Sequence, residues 1–249
     1  MQYNKYYPED FKKLRLAGKI SSKCLDYIND KIKPGIKTNE INKFCVDFLK
    51  KNNALSAPLF YRGFPKSVCT SVNHVVCHGI PSDKILKEGD IVNVDVTSFI
   101  DGFHGDTSRT YYVGEVSVKA KNLVETTKEA LDRSIRLLKP GIHLGDIGNE
   151  IQSFVEAKGY SVVRDFCGHG VGKEFHEEPN ILHYGKKGYG PKLEAGMVFT
   201  IEPMVNAGNY ETKLLNDGWT AVTKDKSLSA QFEHTVGITH NGYEIFTLS

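Results

Sequence analysis

Alternating apolar and polar positions give the first structural prediction from this chain. In the stretch 91–98, three valines are separated by polar residues, and a period of two is typical of a β-strand with two different faces. A second stretch, 106–113, is rich in threonine, tyrosine and valine, which favours another strand. The Asp101-Gly102 pair between them favours a two-residue turn. We therefore predict an antiparallel hairpin.

The turn decides which residues of the hairpin face each other. With Asp101-Gly102 at the tip, Asp95 lies opposite Ser108, and Asp106 lies opposite Thr97. Both carboxylates then project from one face as diagonal neighbours, with Cβ atoms up to ~7 to 8 Å apart. A cation between the two side chains would bridge that span, so the hairpin predicts a candidate metal site.

An internal repeat indicates how the helices are arranged. Lys33-Pro34-Gly35-Ile36 recurs as Lys139-Pro140-Gly141-Ile142, and apolar positions follow each motif at helical spacing. Proline and glycine stop a helix, so each motif is predicted to separate two helices, the second starting near Thr38 or Asp146. A further helix is predicted to open at Pro8.

The repeat continues into strands that carry carboxylates. The stretches 86–95 and 193–202 match, so that Asp95 and Glu202, their last residues, are equivalent. We expect Asp106 and Glu233 on the strand that follows in each half. A duplication would then bring two carboxylates from each half to a site between the halves, whereas His169, between two glycines, has no counterpart.

Length, composition and charge exclude several classes of protein. The 249 residues are 40% hydrophobic and 25% charged, which is typical of a globular protein. A net charge of +2 favours neither DNA binding nor attraction to an anionic membrane. We expect no signal peptide or membrane span, since no apolar run is long enough. Five cysteines without CxxC spacing favour reduced thiols in the cytoplasm over disulfides or a zinc knuckle.

Five side chains with metal-ligand chemistry favour a two-metal hydrolase. Each aspartate alone would be assigned to a solvated strand face or a turn, and His169 alone to an exposed loop. Converging carboxylates repel one another and bind protons unless a cation lies among them. The five residues together therefore favour a metal site over the assignments made for each residue alone. The candidate ligands are Asp95, Asp106, His169, Glu202 and Glu233.

Several motifs resemble those of the methionine aminopeptidases, in particular the bacterial type I form, over nearly the whole chain. The matching stretches are Val76-Cys77-His78-Gly79-Ile80-Pro81, Asp95-Val96-Thr97, Gly105-Asp106-Thr107-Ser108-Arg109-Thr110, Gly168-His169-Gly170-Val171-Gly172, Glu202-Pro203-Met204 and Gln231-Phe232-Glu233-His234-Thr235. The resemblance implies an α/β (α+β) pita-bread fold of the creatinase and aminopeptidase type. Such a fold has two halves related by a pseudo-twofold axis, with a curved antiparallel sheet and helices on its outer side. We expect one catalytic domain, 1–249, with halves of roughly 8–115 and 116–249.

The resemblance also assigns roles to the candidate ligands. It implies that Asp106 and Glu233 bridge two divalent ions, that Asp95 chelates one, and that His169 and Glu202 complete the other. The ions expected are Co, Mn, Fe or Zn, since oxygen ligands with one imidazole accept each of them. A metal-bridging hydroxide would attack the first peptide bond, with Glu202 as the proton shuttle.

Substrate contacts are implied by the same resemblance. His78 is expected near the nitrogen of the scissile bond and His176 near the carbonyl oxygen. A pocket for the methionine side chain is expected from aromatic and sulfur-containing residues, which suit a thioether: Tyr61, Phe64, Cys69, His78, Phe175 and Trp219. The alternative for these is ordinary aromatic core, although Trp219 follows an Asp-Gly turn. Pro58 and Phe64 depart from the cysteine and tyrosine common in the family, which predicts a less polar rim.

The implied function is removal of the initiator methionine from nascent polypeptides when the second residue is small. The expected protein is a cytoplasmic monomer that acts on nascent N-termini, with the ribosome as a further candidate partner. Other charged residues, including Glu174, Glu177, Glu178 and Asp225, are assigned to the surface. The remaining histidines are assigned to the surface or the core: His74, His104, His143, His183, His234 and His240.

Two alternative functions remain open at this point. A related peptidase that cleaves before proline typically carries an added N-terminal domain and further histidines, whereas here the catalytic part is expected to begin almost at Pro8. A non-catalytic module of the same fold, binding peptides, histones or RNA, is expected to have lost some ligands, whereas all five are present. Fold alone does not decide among them. Substrate choice does.

Overall fold

Four α-helices lie in the part of the chain that the computed structural model describes, residues 3–249. They are α1 to α4: Pro8–Asn29, Thr38–Lys51, Val118–Arg136 and Leu144–Ala157. The predicted starts at Pro8 and Thr38 are confirmed, and the helix predicted near Asp146 begins two residues earlier, at Leu144. None of these helices combines the length and apolar character that a membrane crossing requires.

Local sequence explains where three of the helices begin. A main-chain N–H just before α1, α2 and α4 donates to an acidic side chain three residues later, at distances of 3.0, 2.9 and 2.8 Å. The acceptors are Asp10, Glu40 and Asp146. Each carboxylate satisfies one of the donors that a helix leaves unpaired at its start, and its charge is favourable there.

Fifteen short strands form four antiparallel sheets in the described residues. They are β1 to β15: Leu55–Ser56, Cys69–Val72, Val75–Cys77, Ile91–Ile100, Phe103–Tyr112, Ser161–Val162, Gly168–Gly170, Glu177–Ile181, Val198–Ile201, Met204–Asn206, Thr212–Leu214, Ala221–Thr223, Ser229–Gln231, His234–Ile238 and Tyr243–Ile245. The first sheet has the order β1-β4-β2 with β5 paired to β4, and the largest has the order β15-β14-β9-β7-β8.

Pairs of equivalent contacts show the repeat in three dimensions. Gly35 N–H donates to the carbonyl of Leu86 at 2.8 Å, and Gly141 N–H donates to that of Leu193 at 2.9 Å. Both glycines have a positive φ, 95° and 94°, which other residues rarely adopt. The same turn is thus built twice, which is what the repeated Lys-Pro-Gly-Ile motif predicted. The division into halves of roughly 8–115 and 116–249 stays a prediction.

Each set of helices packs on its own strands. Apolar residues of α1 and α2 bury the valines of β4, Val92, Val94 and Val96. Residues of α3 and α4 bury Phe199 and Ile201 of β9, together with residues of β14. Since side chains alternate across a strand, the polar residues between the β4 valines point away from these helices. The opposite face of the strands is therefore available for a polar site.

Candidate active site

One cavity of about 520 Å³ lies on the strand face opposite the helices. All residues that the sequence assigned to metal binding, catalysis or the methionine pocket line this cavity: Tyr61, Phe64, Cys69, His78, Asp95, Asp106, His169, Phe175, His176, Glu202, Trp219 and Glu233. They come from both parts of the repeat. The structure thus brings together residues that are far apart in the sequence.

The hairpin of β4 and β5 positions two of the carboxylates as predicted. Asp95 pairs with Ser108, and Asp106 pairs with Thr97. The hydroxyl of Thr97 donates to Asp106 Oδ1 at 2.6 Å, which fixes the orientation of that carboxylate. Asp106 is buried, and Oδ1 of Asp95 is enclosed without any hydrogen-bond partner. A buried carboxylate oxygen without a partner costs free energy unless a bound group, such as a cation, satisfies it.

Thr200, in β9, connects two of the other three predicted ligands, His169 and Glu202. Its hydroxyl accepts a hydrogen bond from the main-chain N–H of His169 at 3.0 Å and donates one to Glu202 Oε1 at 2.8 Å. The amide of Gln231 donates to the second oxygen of Glu202 at 3.2 Å. Glu202 lies one residue beyond the end of β9, where its main-chain N–H donates to Nε2 of His183 at 3.1 Å.

Glu233 is not on a strand, contrary to the sequence-based expectation. It occupies the break between β13 and β14. Its N–H donates to the carbonyl of Ser108 at 3.1 Å, and its own carbonyl accepts from the hydroxyl of Thr107 at 2.6 Å. These two hydrogen bonds to β5 take the place of the strand pairing that Glu233 lacks. They hold its buried side chain, 2% exposed, beside Asp106.

Ligand atoms of Asp106, His169 and Glu233 lie within 4.8 Å of one another. Burial, and the neighbouring charge of Asp106, raise the pKa values of Asp95, Glu202 and Glu233 well above the ordinary carboxyl range. Among the described residues, no Lys or Arg forms an ion pair with any of these carboxylates. The cluster therefore lacks the positive charge that ionised carboxylates need.

The imidazole of His169 adds to the need for positive charge in this cluster. Its Nδ1 lies 3.0 Å from the carbonyl of Gly170, which only accepts hydrogen bonds, so Nδ1 carries the proton. Burial lowers the pKa of His169 to about 4, so the ring is neutral at pH 7 and Nε2 holds a lone pair. That atom lies 3.6 Å from oxygens of both Asp106 and Glu202. Three electron-rich groups facing one another fit a bound cation.

Two further histidines lie in the cavity beside this cluster. The ring of His176 is 4.1 Å from that of His169 and stacks on Tyr61 at 5.0 Å. His78 contacts Phe166 and Trp219 edge-on, at 5.4 and 6.2 Å. Burial lowers the pKa values of His78 and His176, so both rings are neutral at pH 7 and have one donor nitrogen each.

The backbone at His78 is strained. Its φ is 55°, a conformation that costs a non-glycine residue free energy and that persists where the surroundings fix it. Gly79 follows, and a Cβ there would lie 2.2 Å from the carbonyl of Thr70. The close approach of β2 therefore requires glycine at 79 and fixes the direction in which the His78 side chain points.

Aromatic side chains and one thiol enclose the space next to the cluster. Phe64 is buried and meets Trp219 edge-on at 5.2 Å, and Tyr61 packs on Phe175 at 4.9 Å. Cys69 pairs with Asp95 across β2 and β4. Pro58 also lines the cavity. The wall is thus apolar and polarisable and ends at the ligand cluster, which suits an unbranched side chain containing sulfur.

Several lining residues were missed or wrongly assigned from the sequence. Both Glu177 and Glu178 line the cavity. Glu177 is half-buried and accepts hydrogen bonds from Tyr6 and Asn4, so its assignment to ordinary surface charge is wrong, whereas Glu178 is exposed, as assigned. Their position directly after His176 was the only local signal. Phe166 and Met204 were missed because an isolated apolar residue next to a strand looks like core. His183 was assigned to the surface or to the core, and it is fully buried in the core. Its Nδ1 has no hydrogen-bond partner, however, so it is not a satisfied core histidine.

Comparisons with known proteins agree with this geometry. Residues 12–240 match metallopeptidase family M24. The methionine aminopeptidase of Rickettsia prowazekii is 58% identical, over 97% of this chain and 93% of that protein. A crystal structure of methionine aminopeptidase from the same organism superposes with a TM-score of 0.98, at 56% identity, over 99% of this chain and 100% of that one. The prolidase of Pyrococcus furiosus matches less well: TM-score 0.78, 26% identity, 98% of this chain but 65% of that one.

Proposed function

The chain belongs to the methionine aminopeptidases of metallopeptidase family M24, and from this premise we propose how its cavity removes an N-terminal methionine. The family implies a divalent metal cofactor. We propose that two cations are held by Asp95, Asp106, His169, Glu202 and Glu233, and that the second residue of the substrate must be small. The observation that carries the proposal is the neutral His169 ring, whose free Nε2 faces two carboxylates.

The donor set supports particular positions for the cations. Asp106 and Glu233, the most deeply buried carboxylates, would contact both; Asp95 would complete one site, and His169 with Glu202 the other. Four carboxylates and one imidazole suit Mn, Fe, Co or Zn, and availability in the cell selects among them. When bound, two such cations supply Lewis acidity, which polarises the scissile carbonyl and activates water at neutral pH.

Glu202 is proposed as the group that moves the proton. One of its oxygens accepts from Thr200 and the other from Gln231, so its carboxylate is held in one orientation at the edge of the cluster. The side chain is only 14% exposed, which limits exchange of that proton with bulk water. A carboxylate in this position can take a proton from the attacking water and pass it to the leaving amine.

His176 and His78 are proposed to contact the substrate and not the metal. His176 lies against His169 and is open to the cavity, where its one N–H can donate to the carbonyl oxygen as negative charge develops there. His78, held by its strained backbone between Phe166 and Trp219, is proposed to face the nitrogen of the scissile bond. A fixed donor at each atom favours the transition state over the ground state.

The aromatic wall is proposed to bind the methionine side chain. Phe64 and Trp219 meet edge-on in the cavity wall, and Cys69 lies beside Asp95 on the neighbouring strand. A thioether gains favourable contacts with aromatic rings of up to ~1.5 kcal/mol. Tyr61 and Phe175 are proposed as the remaining wall. His78 and His176 are proposed to narrow the space beyond the scissile bond, which would account for the preference for a small second residue.

We further propose nascent polypeptides as the substrates, the cytoplasm as the place of action, and a monomer as the working state. All five cysteines are free, which supports a reducing compartment. The ribosome is a candidate neighbour because it supplies nascent N-termini.

A peptide panel tests the proposal. Purified protein with Mn or Co is given Met-Ala-Ser, Leu-Ala-Ser and Met-Pro-Ala, with EDTA controls, and free amino acids are measured. We expect metal-dependent release of methionine from Met-Ala-Ser and little leucine from Leu-Ala-Ser. Preferred cleavage before proline would favour the prolidase-like alternative. Folded protein that releases nothing with any metal would favour the binding module and contradict the proposal.

A further inference from the structure

The segment that carries Phe175 and His176 has no regular secondary structure of its own. Residues 172–176 form successive bends between β7 and β8. Two of its main-chain donors are satisfied by side chains outside the segment: Lys173 N–H donates to the hydroxyl of Tyr6, and Glu174 N–H donates to Glu177 Oε1, both at 3.0 Å. Gly172 N–H donates within the segment, to the carbonyl of Glu174 at 3.1 Å. The first residue of the segment is also held by His104, whose main-chain N–H donates to the carbonyl of Gly172 at 2.8 Å, whereas the main chain at 173 and 174 depends on the side chains of Tyr6 and Glu177.

Tyr6 is itself firmly placed. Its ring is 5% exposed and meets Phe103 edge-on at 5.8 Å. It also lies directly on Gly172, where a Cβ would be 2.2 Å from the ring. Its main-chain N–H donates to the carbonyl of Gly196 at 2.8 Å. The hydroxyl is thus presented to residues 173 and 177 by a rigid support.

Glu177 is held by neutral donors. Oε1 accepts from the Tyr6 hydroxyl at 2.5 Å, and Oε2 accepts from the side-chain amide of Asn4 at 2.8 Å. Within residues 3–249, no Lys or Arg side chain forms an ion pair with Glu177. Hydrogen bonds to an ionised carboxylate are stronger than those between neutral groups. We name these three residues, Asn4, Tyr6 and Glu177, the Tyr6 clamp.

We propose that the Tyr6 clamp positions His176 for catalysis, an inference that rests on the proposed function of this cavity. Glu177 directly follows His176 and opens β8, where it pairs with Gly170. The clamp thus fixes the main chain one residue from the His176 ring. On the other side of that ring, Tyr61 and His169 give only stacking contacts. Stacking permits sliding, whereas the hydrogen bonds of the clamp fix a direction.

Tyr6 acts as a positioning residue and not as a catalytic residue, because it does not line the cavity. Its loss should affect the rate of the chemical step more than binding, because a donor near the carbonyl oxygen acts mainly in the transition state. A small displacement of such a group is costly: a shift of ~1 Å can reduce the rate up to ~100-fold. Partial loosening of the segment should therefore reduce kcat by about tenfold.

Tyr6→Phe tests the proposal, with Tyr7→Phe as the matched control, because Tyr7 is adjacent and 69% exposed. Assays use Mn-loaded full-length protein and Met-Ala-Ser, well below the Tm of each variant. We expect Tyr6→Phe to reduce kcat about tenfold with KM and bound Mn unchanged, and Tyr7→Phe to match the wild type. Hydrogen exchange measured by mass spectrometry should show faster exchange of amides in 172–177 for Tyr6→Phe alone.

A second pair of variants tests whether the clamp acts as one unit. Glu177→Gln keeps an acceptor for the Tyr6 hydroxyl and should retain more activity than Glu177→Ala. Adding Tyr6→Phe to Glu177→Ala should slow the enzyme less than Tyr6→Phe slows the wild type, since the shared bond is already lost and only the bond from Lys173 N–H remains to be removed. Fully additive effects on kcat would contradict a shared role.

The outcomes separate this inference from the proposed function. If the wild type releases methionine and Tyr6→Phe has the same kcat, the clamp is overturned. Loss of bound Mn in Tyr6→Phe would also overturn it, because Tyr6 would then support the metal cluster and not His176. If the wild type released no methionine with any metal, the proposed function would fail. Exchange that stayed slow in 172–177 of Tyr6→Phe would still overturn the clamp in that case.

Discussion

The hydroxyl of Thr200 donates to Glu202 Oε1 at 2.8 Å while it accepts from the main-chain N–H of His169 at 3.0 Å. One small, fully buried side chain thus connects two proposed ligands of the same cation. Groups in this position orient metal ligands and restrict their rotamers before the metal binds. Thr200 should therefore contribute to metal affinity without touching the metal.

Thr200→Val is expected to weaken Mn binding by about 10- to 100-fold, since it removes the hydroxyl but preserves the shape of the side chain. The Kd for Mn, measured by calorimetry, checks this. Thr223→Val serves as the control: Thr223 is also fully buried on a strand, but its hydroxyl donates to the carbonyl of Ser227. Equal Kd values for both variants and the wild type would show that Thr200 has no such role.

Removing a proposed ligand should abolish turnover and leave the fold intact. In His169→Ala and Glu202→Ala, a side chain that faces like-charged or electron-rich groups is lost, so the metal-free protein should not be destabilised strongly. We expect no measurable methionine release and an unchanged far-UV circular dichroism spectrum. Unfolded variants would mean that these side chains mainly support the core.

His78→Ala is expected to separate substrate contact from metal binding. The side chain lies between the rings of Phe166 and Trp219. We expect kcat to fall by about 100-fold and the Mn content, measured by atomic absorption, to stay at the wild-type value. Loss of Mn in His78→Ala would show that His78 is a ligand and that its assignment to substrate is wrong.

The stability of the metal-free protein should fall as the pH rises above about 6.5. Burial raises the pKa of Asp106 to about 7 in the folded state and raises those of Asp95, Glu202 and Glu233 well above the ordinary carboxyl range. Folded protein therefore holds protons that unfolded protein has released, and its stability falls with rising pH until the folded carboxyls have ionised as well. Below pH 6.5, buried histidines such as His169 act in the opposite sense, because their folded pKa is lowered from 6.5 to about 4.

Urea unfolding in EDTA at about pH 6.5 and about pH 8 measures this effect. We expect the free energy of unfolding to be lower at the higher pH by ~1 kcal/mol or more, since each pKa unit corresponds to ~1.4 kcal/mol. With saturating Mn the difference should shrink, because the cations compensate the ionised carboxylates. A metal-free protein that is equally stable at both pH values would argue against a cluster short of positive charge.

The hairpin could be predicted to the residue because two local signals agree. The period of two fixes which side chains share a face, and the Asp101-Gly102 turn fixes the register, so Asp95 and Asp106 are found opposite Ser108 and Thr97 as expected. The repeat then extended the prediction to Glu202. The repeat also pointed to Glu233, whereas the proposed substrate contacts, such as His78 and His176, came from the family resemblance, and these residues line the cavity.

Long-range contacts explain what local patterns did not predict. Residues 229–238 look like one continuous strand, but β13 pairs with β10 and β14 with β9, and the chain changes sheets at Glu233. Glu177 looks like surface charge because its partner, Tyr6, is 171 residues away in the sequence. Neither contact leaves a periodic signal in its neighbourhood, so neither is visible before the chain is folded.

The measurement that tests the account most directly is an anomalous difference map from a crystal of the Mn-loaded protein. The account predicts two Mn peaks inside the cavity, Asp95 beside one, His169 and Glu202 beside the other, and Asp106 and Glu233 beside both. A crystal of protein that releases methionine from Met-Ala-Ser, but has Mn only at sites away from these five side chains, would contradict it.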